Sequence, residues 1–91
     1  MTTLTLIGKS GCHLCEVAHG VVDGVLAELT AAEADRVDVV ELSILEDEAL
    51  YETWWEKIPV VLIDGELHAQ WRVAADPLRE ALRAAVGNPQ A

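Results

Sequence analysis

The sequence predicts an α/β domain in which a mixed four-stranded sheet is flanked by helices, in the chain order β-α-β-α-β-β-α. Three observations predict this fold. A β-rich segment near the start leads into a long run of apolar residues at helical spacing. Two later β-rich segments are joined by the tight-turn pair Asp64-Gly65, and a last helical segment follows Asp76-Pro77. The first unit favours a parallel crossover, and the hairpin adds antiparallel strands.

The first strand and the first helix have the clearest pattern. Residues Thr3–Ile7 alternate and are rich in β-favouring types. Apolar residues then recur on one face of a predicted helix of about five turns. Gly20 and Gly24 each lower the stability of that helix by about 1 kcal/mol relative to alanine, and we expect them to pack closely against a neighbouring element. The apolar stripe consists of Leu14, Val17, Ala18, Val21, Val22, Val25, Leu26 and Leu29.

A second strand and a second helix follow. The segment Val37–Leu42 is rich in β-branched residues and predicts a strand. The segment Glu46–Trp55 predicts a short helix, because Asp47 and Glu48 are favourable near a helix N-terminus.

The last three elements are marked by turn and capping residues. The segment Ile58–Ile63 predicts a third strand, and Asp64-Gly65 returns the chain as a fourth strand from Glu66 to about Ala69. For the last helix, Asp76 is a candidate N-cap, Pro77 suits the first helical position, and Gly87 can end the helix.

Length and charge limit the classes of function. The 91 residues suit one domain, which we expect to span residues 1–87, with 88–91 a flexible tail. The chain has 16 acidic and 6 basic residues and a formal net charge of −10. Such a surface repels phosphate backbones and anionic lipids. We therefore expect neither nucleic acid nor a membrane as its partner, and we also expect a monomer.

The N-terminal segment lacks the features of a secretory signal. Met1-Thr2-Thr3 is uncharged, and the apolar stretch after it stops at Gly8-Lys9. No apolar run approaches the roughly 20 residues of a membrane span. The sequence therefore predicts a cytoplasmic protein, and structural disulfides are rare in that compartment.

Cys12 and Cys15 form a CxxC pair where the first strand meets the long helix. The first turn of a helix has unpaired N–H groups and a partial positive charge, which stabilise a thiolate at Cys12. Lys9 adds a positive charge from the preceding loop. Cys15 lies one turn into the helix, within reach of Cys12 and less exposed. We therefore predict that Cys12 attacks a disulfide and that Cys15 resolves the mixed disulfide.

A proline stands at the start of the predicted third strand. Proline inside a strand indicates an edge or an exceptional position. A cis peptide bond between Ile58 and Pro59 is a fixed structural feature, and it leaves neighbouring backbone groups free to pair with an extended substrate. Ile58, Pro59 and Lys9 are therefore the candidate substrate-binding residues.

Together these motifs resemble the glutaredoxins of the thioredoxin superfamily. The resemblance is carried by the segment Lys9–Cys15, then by Ile58-Pro59-Val60, then by Asp64-Gly65. It extends from Leu4 to about Val86 and is nearest to a compact bacterial glutaredoxin-like family. It implies a thioredoxin-like fold and thiol–disulfide oxidoreductase activity. It also implies that Cys12 is the nucleophile, Cys15 the resolving thiol, Pro59 a cis-proline and Lys9 the basic residue before the motif.

The sequence departs from the glutaredoxin pattern at the positions around the cysteines. Glutaredoxins usually have proline or glycine and then an aromatic residue between the cysteines, where this chain has His13 and Leu14. Their threonine–valine before the cis-proline is Lys57-Ile58 here, and their glycine pair that holds one end of glutathione has no clear match near Asp64-Gly65. Glutathione is therefore one candidate co-substrate among low-molecular-weight thiols, and no resident cofactor is implied.

Two other functions remain open at this point. The same fold can carry an iron–sulfur cluster or a metal, or act as a redox-inert binding or sensor module. A zinc site needs about four ligands, and one chain with two cysteines makes a poor site, so we predict no metal ligands. The partners that we expect are protein or small-molecule disulfides, together with a reductase or a small thiol that returns the electrons.

Three further residues are candidates for supporting roles. A protonated His13 between the cysteines stabilises a thiolate, and the alternative is an exposed residue without effect. Trp55 and its neighbour Trp54 either line a docking groove or belong to the core. They point about 100° apart on a helix, so equal burial is not expected.

Overall fold

The computed structural model describes residues 1–87, so the expectation of a flexible tail at 88–91 lies outside the described residues. The predicted α/β class and mixed four-stranded sheet are confirmed. No helix among residues 1–87 is long and apolar enough to cross a membrane. In chain order the elements are β1 Thr2–Gly8, α1 His13–Glu28, α2 Ala31–Ala34, β2 Val37–Ser43, α3 Glu48–Trp54, β3 Val60–Ile63, β4 Glu66–Gln70 and α4 Ala75–Gly87.

The sheet has the strand order β2-β1-β3-β4. β1 runs parallel to β2, with Gly8 opposite Ser43, and antiparallel to β3, with Ile7 opposite Val60. β3 and β4 form the antiparallel hairpin. The last residues of β1, β2 and β4 and the first residue of β3 therefore lie at one end of the sheet. We call this end, with the loops 9–12, 44–47, 55–59 and 71–74, the Cys12 end.

The main core lies between one face of the sheet and the helices α1 and α4. This arrangement buries alternate side chains of β1, such as Leu4 and Leu6, against the apolar stripes of both helices. Burial of this apolar surface is the main source of stability in a domain of this size. The buried members are Leu4, Leu6, Ala18, Val22, Val25, Val61, Leu78 and Leu82.

The opposite face of the sheet has a smaller core. Ile7, Ile44 and Val60 are buried there. Half-buried side chains from α3, from the loop after it and from β3 pack against them. The half-buried members are Leu50, Trp54, Ile58 and Leu62. This cluster fixes α3 and the loop before β3 against the Cys12 end of the sheet.

The short helix α2 was not among the predicted elements. It begins with a capping box, in which Thr30 Oγ1 accepts from the Glu33 N–H at 3.1 Å and Glu33 Oε1 accepts from the Thr30 N–H at 2.9 Å. The Thr-x-x-Glu spacing is a sequence signature of a helix start, so the signal for α2 was present in the sequence.

The predicted starts of three elements are wrong. α3 begins at Glu48 rather than Glu46, because the Asp47 carboxylate accepts from the N–H groups of Ala49 and Leu50 and so makes Asp47 the N-cap. β3 begins at Val60, later than the expected start at Ile58.

The third wrong start is that of α4, which begins at Ala75 instead of Pro77. The predicted N-cap of that helix is therefore also wrong. Asp76 lies in the first turn, and its carboxylate accepts from Arg79 Nη1 at 2.9 Å. An acidic residue in the first turn still interacts favourably with the helix dipole.

Part of the predicted α1 stripe is solvent-exposed. Leu14 is 42% exposed and Val17 is 50% exposed. The buried face is centred on Cys15, Ala18, Val22 and Val25. Val17 lies about 100° around the helix from Ala18, and Leu14 belongs to the first turn at the Cys12 end.

The two helical glycines of α1 also differ from expectation. A Cβ atom at Gly20 or Gly24 meets nothing within 4 Å, so the predicted close packing against a neighbouring element is wrong. Both positions are exposed, because they lie on the side of α1 away from the sheet and α4.

Candidate active site

Cys12 occupies the N-cap position of α1. Its backbone is extended, with φ −101° and ψ 112°, and its Sγ accepts a hydrogen bond from the Cys15 N–H at 3.2 Å. Its carbonyl accepts from the Glu16 N–H at 3.1 Å, which starts the helical ladder. A sulfur in the N-cap position accepts a hydrogen bond from one of the first N–H groups of the helix, which have no acceptor within the helix. The N–H donor and the N-terminal end of the α1 dipole thus both point partial positive charge at the Cys12 sulfur.

Cys15 is buried on the first turn of α1, against the end of β1. Only 9% of its surface is exposed. A Cβ atom at Gly8 would lie 3.0 Å from Cys15 Sγ and 3.1 Å from Cys15 Cβ. Both distances are shorter than an ordinary van der Waals contact, so glycine at position 8 is what lets the strand approach the thiol.

The pKa of the Cys15 thiol is raised from 9.0 to about 11, and burial is the largest cause. The hydrogen bond with Cys12 is the second cause of the raised pKa, because it stabilises the neutral form of Cys15. The backbone and the charge of Lys9 act in the opposite direction. Cys15 is therefore a protonated thiol near neutral pH, with its sulfur held beside Cys12.

The raised pKa of Cys15 predicts a loss of stability in alkaline solution. The pKa is higher in the folded state, so the buried neutral thiol stabilises the reduced fold fully below pH 9. That contribution disappears as the pH rises through about 11. Between pH 8 and pH 11 we expect the reduced protein to lose about 2 kcal/mol more unfolding free energy than Cys15→Ser. Urea unfolding of both proteins measures the difference, and equal losses in the two proteins would refute the expectation.

An open cleft of about 420 Å³ borders Cys15 between α1 and the end of β2. Lys9 and Ser10 line it from the loop after β1, and His19 and Glu41 line it from α1 and β2. His19 lies between two carboxylates, with Nε2 2.6 Å from Glu41 Oε1 and Nδ1 3.2 Å from Asp23 Oδ2. The cleft brings solvent close to the otherwise buried thiol.

The loop before β3 lies beside the cysteines. The Ile58–Pro59 peptide bond is cis. Since Ile7 pairs with Val60, Pro59 lies opposite Gly8, and Gly8 touches Cys15. The Pro59 ring is buried, and the Ile58 side chain packs into the smaller core. Neither of these two side chains therefore projects freely from the surface at this loop.

The candidate supporting residues occupy different surroundings. His13 is the first residue of α1 and is exposed. Trp54 is half-buried in the smaller core, whereas Trp55 is 51% exposed and stacks on Tyr51 with ring centroids 6.3 Å apart. The expected difference between the two tryptophans is confirmed. Lys57 is exposed, with Nζ 5.6 Å from the centroid of the Trp54 ring.

Trp71, on the loop after β4, has no predicted role. Its φ of 65° is in the left-handed region, which costs a bulky residue about 1–3 kcal/mol. Two hydrogen bonds hold it there: its N–H donates to the Pro59 carbonyl at 2.9 Å, and its indole Nε1–H donates to the Glu56 carbonyl at 2.8 Å. No local sequence signal marks this conformation, because the left-handed region favours glycine and asparagine.

The donor set around the cysteines is small. Among residues 1–87, no group of three or more His, Cys, Asp or Glu side chains is arranged to hold a metal ion. Cys12 and Cys15 alone supply two thiol ligands, and a closed zinc site takes about four.

Comparison with protein families identifies one matching model. A glutaredoxin-like domain model (DUF836) matches residues 3–83. That range includes both cysteines, the Ile58–Pro59 loop, most of α4 and all four strands, of which only the first residue of β1 lies outside it. A search of curated proteins found no match.

Several solved structures have a backbone fold similar to that of this chain, and three of them come from different organisms. A structural genomics target protein, XcR50 from X. campestris, is 25% identical with a TM-score of 0.66, and the alignment covers 89% of this chain and 96% of that one. A mutant thioredoxin from Halobacterium salinarum NRC-1 is 22% identical with a TM-score of 0.64, covering 91% of this chain and 73% of that one. Human ERp44 is 13% identical with a TM-score of 0.67, covering 97% of this chain and 28% of that one. The likeness to the mutant thioredoxin, at a TM-score of 0.64, establishes the thioredoxin-like fold.

Proposed function

The chain belongs to the glutaredoxin-like domain family (DUF836), and on this premise we propose that it is a thiol–disulfide oxidoreductase. Cys12 is the nucleophile and Cys15 the resolving thiol. One observation carries the proposal: Cys12 Sγ caps α1 and accepts the Cys15 N–H at 3.2 Å, while Cys15 lies buried behind it. This arrangement leaves one sulfur accessible at the positive end of the α1 dipole and keeps the other protonated and within reach.

In the first step, the Cys12 thiolate attacks one sulfur of a substrate disulfide. The substrate S–S bond breaks, a Cys12–substrate disulfide forms, and one half of the substrate leaves as a thiolate that takes a proton from water. The N–H donor and the α1 dipole stabilise the attacking thiolate.

In the second step, Cys15 loses its proton to water in the adjoining cleft, and its sulfur attacks Cys12 Sγ. The mixed disulfide breaks, the second half of the substrate leaves as a thiolate, and a Cys12–Cys15 disulfide remains. The substrate has gained two electrons and the protein has lost two. A reductase or a low-molecular-weight thiol, such as glutathione, returns them.

The remaining assignments belong to the same proposal. Lys9 contributes positive charge beside the thiols, the Ile58 backbone receives the substrate, and Pro59 fixes that backbone in place, since the Pro59 carbonyl already accepts from Trp71. His13 and Trp55 flank the approach to Cys12. The chain acts as a cytoplasmic monomer on protein or small-molecule disulfides, without a resident cofactor, nucleic acid or membrane.

The experiment that tests this function is trapping of the first intermediate. We expect Cys15→Ser, treated with an excess of a small disulfide at neutral pH, to gain the mass of one substrate half on Cys12. The matched variant Cys12→Ser keeps the buried, protonated Cys15 and is expected to gain no such mass. Adduct formation at equal rates in both variants would refute the assigned roles, and the absence of an adduct in Cys15→Ser would refute the activity.

A further inference from the structure

Trp71 holds its side chain in one fixed place at the Cys12 end. Its backbone is in the left-handed region at φ 65°. The N–H bond to the Pro59 carbonyl and the indole bond to the Glu56 carbonyl fix both ends of the residue. Strained backbone of this kind persists only where the surrounding contacts enforce it, and it concentrates at functional sites.

The strand order puts the Trp71 backbone at the same end of the sheet as the cysteines, two strands from β1. Trp71 is bonded to Pro59, Pro59 lies opposite Gly8, and Gly8 touches Cys15. The Trp71 side chain is nevertheless 53% exposed. It is therefore a rigid, half-exposed aromatic surface. Because the side chain is already fixed, substrate binding does not incur the entropy cost of immobilising it.

Three of the four loops at the Cys12 end, 9–12, 55–59 and 71–74, carry three basic residues and one acidic residue, Glu56, whereas the loop 44–47 carries Glu46 and Asp47. Among residues 1–87, Arg79 and Arg83 form ion pairs with acidic residues of α1, α2 and α4. No ion pair in that part of the chain involves Lys9, Lys57 or Arg72, all of which belong to loops at the Cys12 end. In a chain of net charge −10, the loops 9–12, 55–59 and 71–74 therefore offer a carboxylate on a partner three cations that are in no ion pair.

We infer that Trp71 determines the substrate class of the site: it favours disulfides in polypeptides whose cysteine is flanked by an apolar and an acidic residue over small-molecule disulfides. The inference rests on the proposed function. A polypeptide that presents its disulfide to Cys12 extends across the neighbouring loops, where the indole packs against an apolar side chain and Lys57 or Arg72 faces a carboxylate. A small disulfide reaches Cys12 without touching the indole.

The test compares two substrates and measures kcat/KM for each. One is a peptide of about ten residues with its cysteine, flanked by leucine and aspartate, in a mixed disulfide, and the other is bis(2-hydroxyethyl) disulfide. We expect Trp71→Gly to lower the peptide-to-small-disulfide ratio of kcat/KM about tenfold, mainly through the KM of the peptide. We expect Trp71→Phe, which keeps a flat aromatic face, to recover most of the ratio.

The controls separate substrate selection from a structural role. Glycine adopts φ 65° without strain, and Trp71→Asn is a second variant that tolerates the left-handed region. Leu67→Ala removes a side chain that is 54% exposed at the opposite end of β4, and it is expected to leave the ratio unchanged.

Three results would overturn the inference. They are an unchanged ratio in Trp71→Gly and Trp71→Asn, equal losses for both substrates, or equal preference for a peptide with lysine in place of aspartate. If the unsubstituted protein reduces neither substrate, the proposed function itself fails, and that outcome is distinct from the other three.

Discussion

Replacing Cys12 by serine is expected to lower the turnover of a disulfide substrate by about three orders of magnitude or more. A hydroxyl group neither attacks a disulfide at neutral pH nor forms the Cys12–Cys15 disulfide, so both steps are lost. The fold is expected to remain intact, because serine is a good N-cap residue and its Oγ can accept the Cys15 N–H in place of Sγ. Turnover is measured with a thiol-regenerating assay, and the free energy of unfolding is measured by urea titration.

A second variant at the same position separates the chemistry from the helix cap. Cys12→Ala removes the acceptor as well as the nucleophile. It is expected to abolish turnover equally and also to lower the free energy of unfolding by about 1 kcal/mol. Cys12→Ser is expected to stay within about 0.5 kcal/mol of the unsubstituted protein. Retention of more than a tenth of the turnover in Cys12→Ser would contradict the assignment of Cys12 as the nucleophile.

The elements that could be predicted from sequence are those set by local chemistry. Asp64 and Gly65 both have positive φ, 51° and 83°, which is the requirement of a tight hairpin turn that follows the strand twist. Asp64 Oδ1 also accepts from the Thr3 N–H at 2.9 Å, which joins the turn to β1. The Cys12–Cys15 pair was equally accessible to prediction, because its geometry depends only on a strand that ends and a helix that begins.

The features that could not be predicted depend on contacts between distant segments. Leu14 and Val17 are exposed because α4 and the sheet do not cover that part of α1. The periodicity of the α1 sequence does not show which part of its apolar face other elements cover. The same holds for Ile58. It is a candidate substrate residue by its position before Pro59, but its side chain packs with residues of β1 and α3.

Trp71 shows the same limit at the candidate site. A tryptophan after a strand predicts an ordinary half-buried residue, since local preference disfavours the left-handed region for bulky side chains. Its conformation is enforced by the carbonyls of Glu56 and Pro59, which belong to the loop before β3 rather than to its own loop. Resemblance to a family through CxxC and proline motifs therefore finds the thiol chemistry, whereas substrate selection depends on a residue outside those motifs.

The stability of the site rests on the core beneath it, and Leu82→Ala is expected to lower the free energy of unfolding by about 3 kcal/mol. Leu82 is fully buried on α4, in the main core that joins α4 to α1 and the sheet. Alanine is the best helix former, so the loss reflects the vacated volume rather than weaker helix formation. Domains of this size are stable by only about 5–15 kcal/mol, so such a change is a large fraction of the total and is measurable by urea or thermal unfolding.

The matched control is the same chemical change at an exposed position. Leu45 is 60% exposed in the loop after β2, and Leu45→Ala is expected to change the unfolding free energy by about 0.5 kcal/mol or less. A similar loss in both variants would show that the core between α1 and α4 does not contribute as its burial implies. A large loss in Leu82→Ala alone shows that the packing of α4 in the main core stabilises the fold that carries the Cys12 cap.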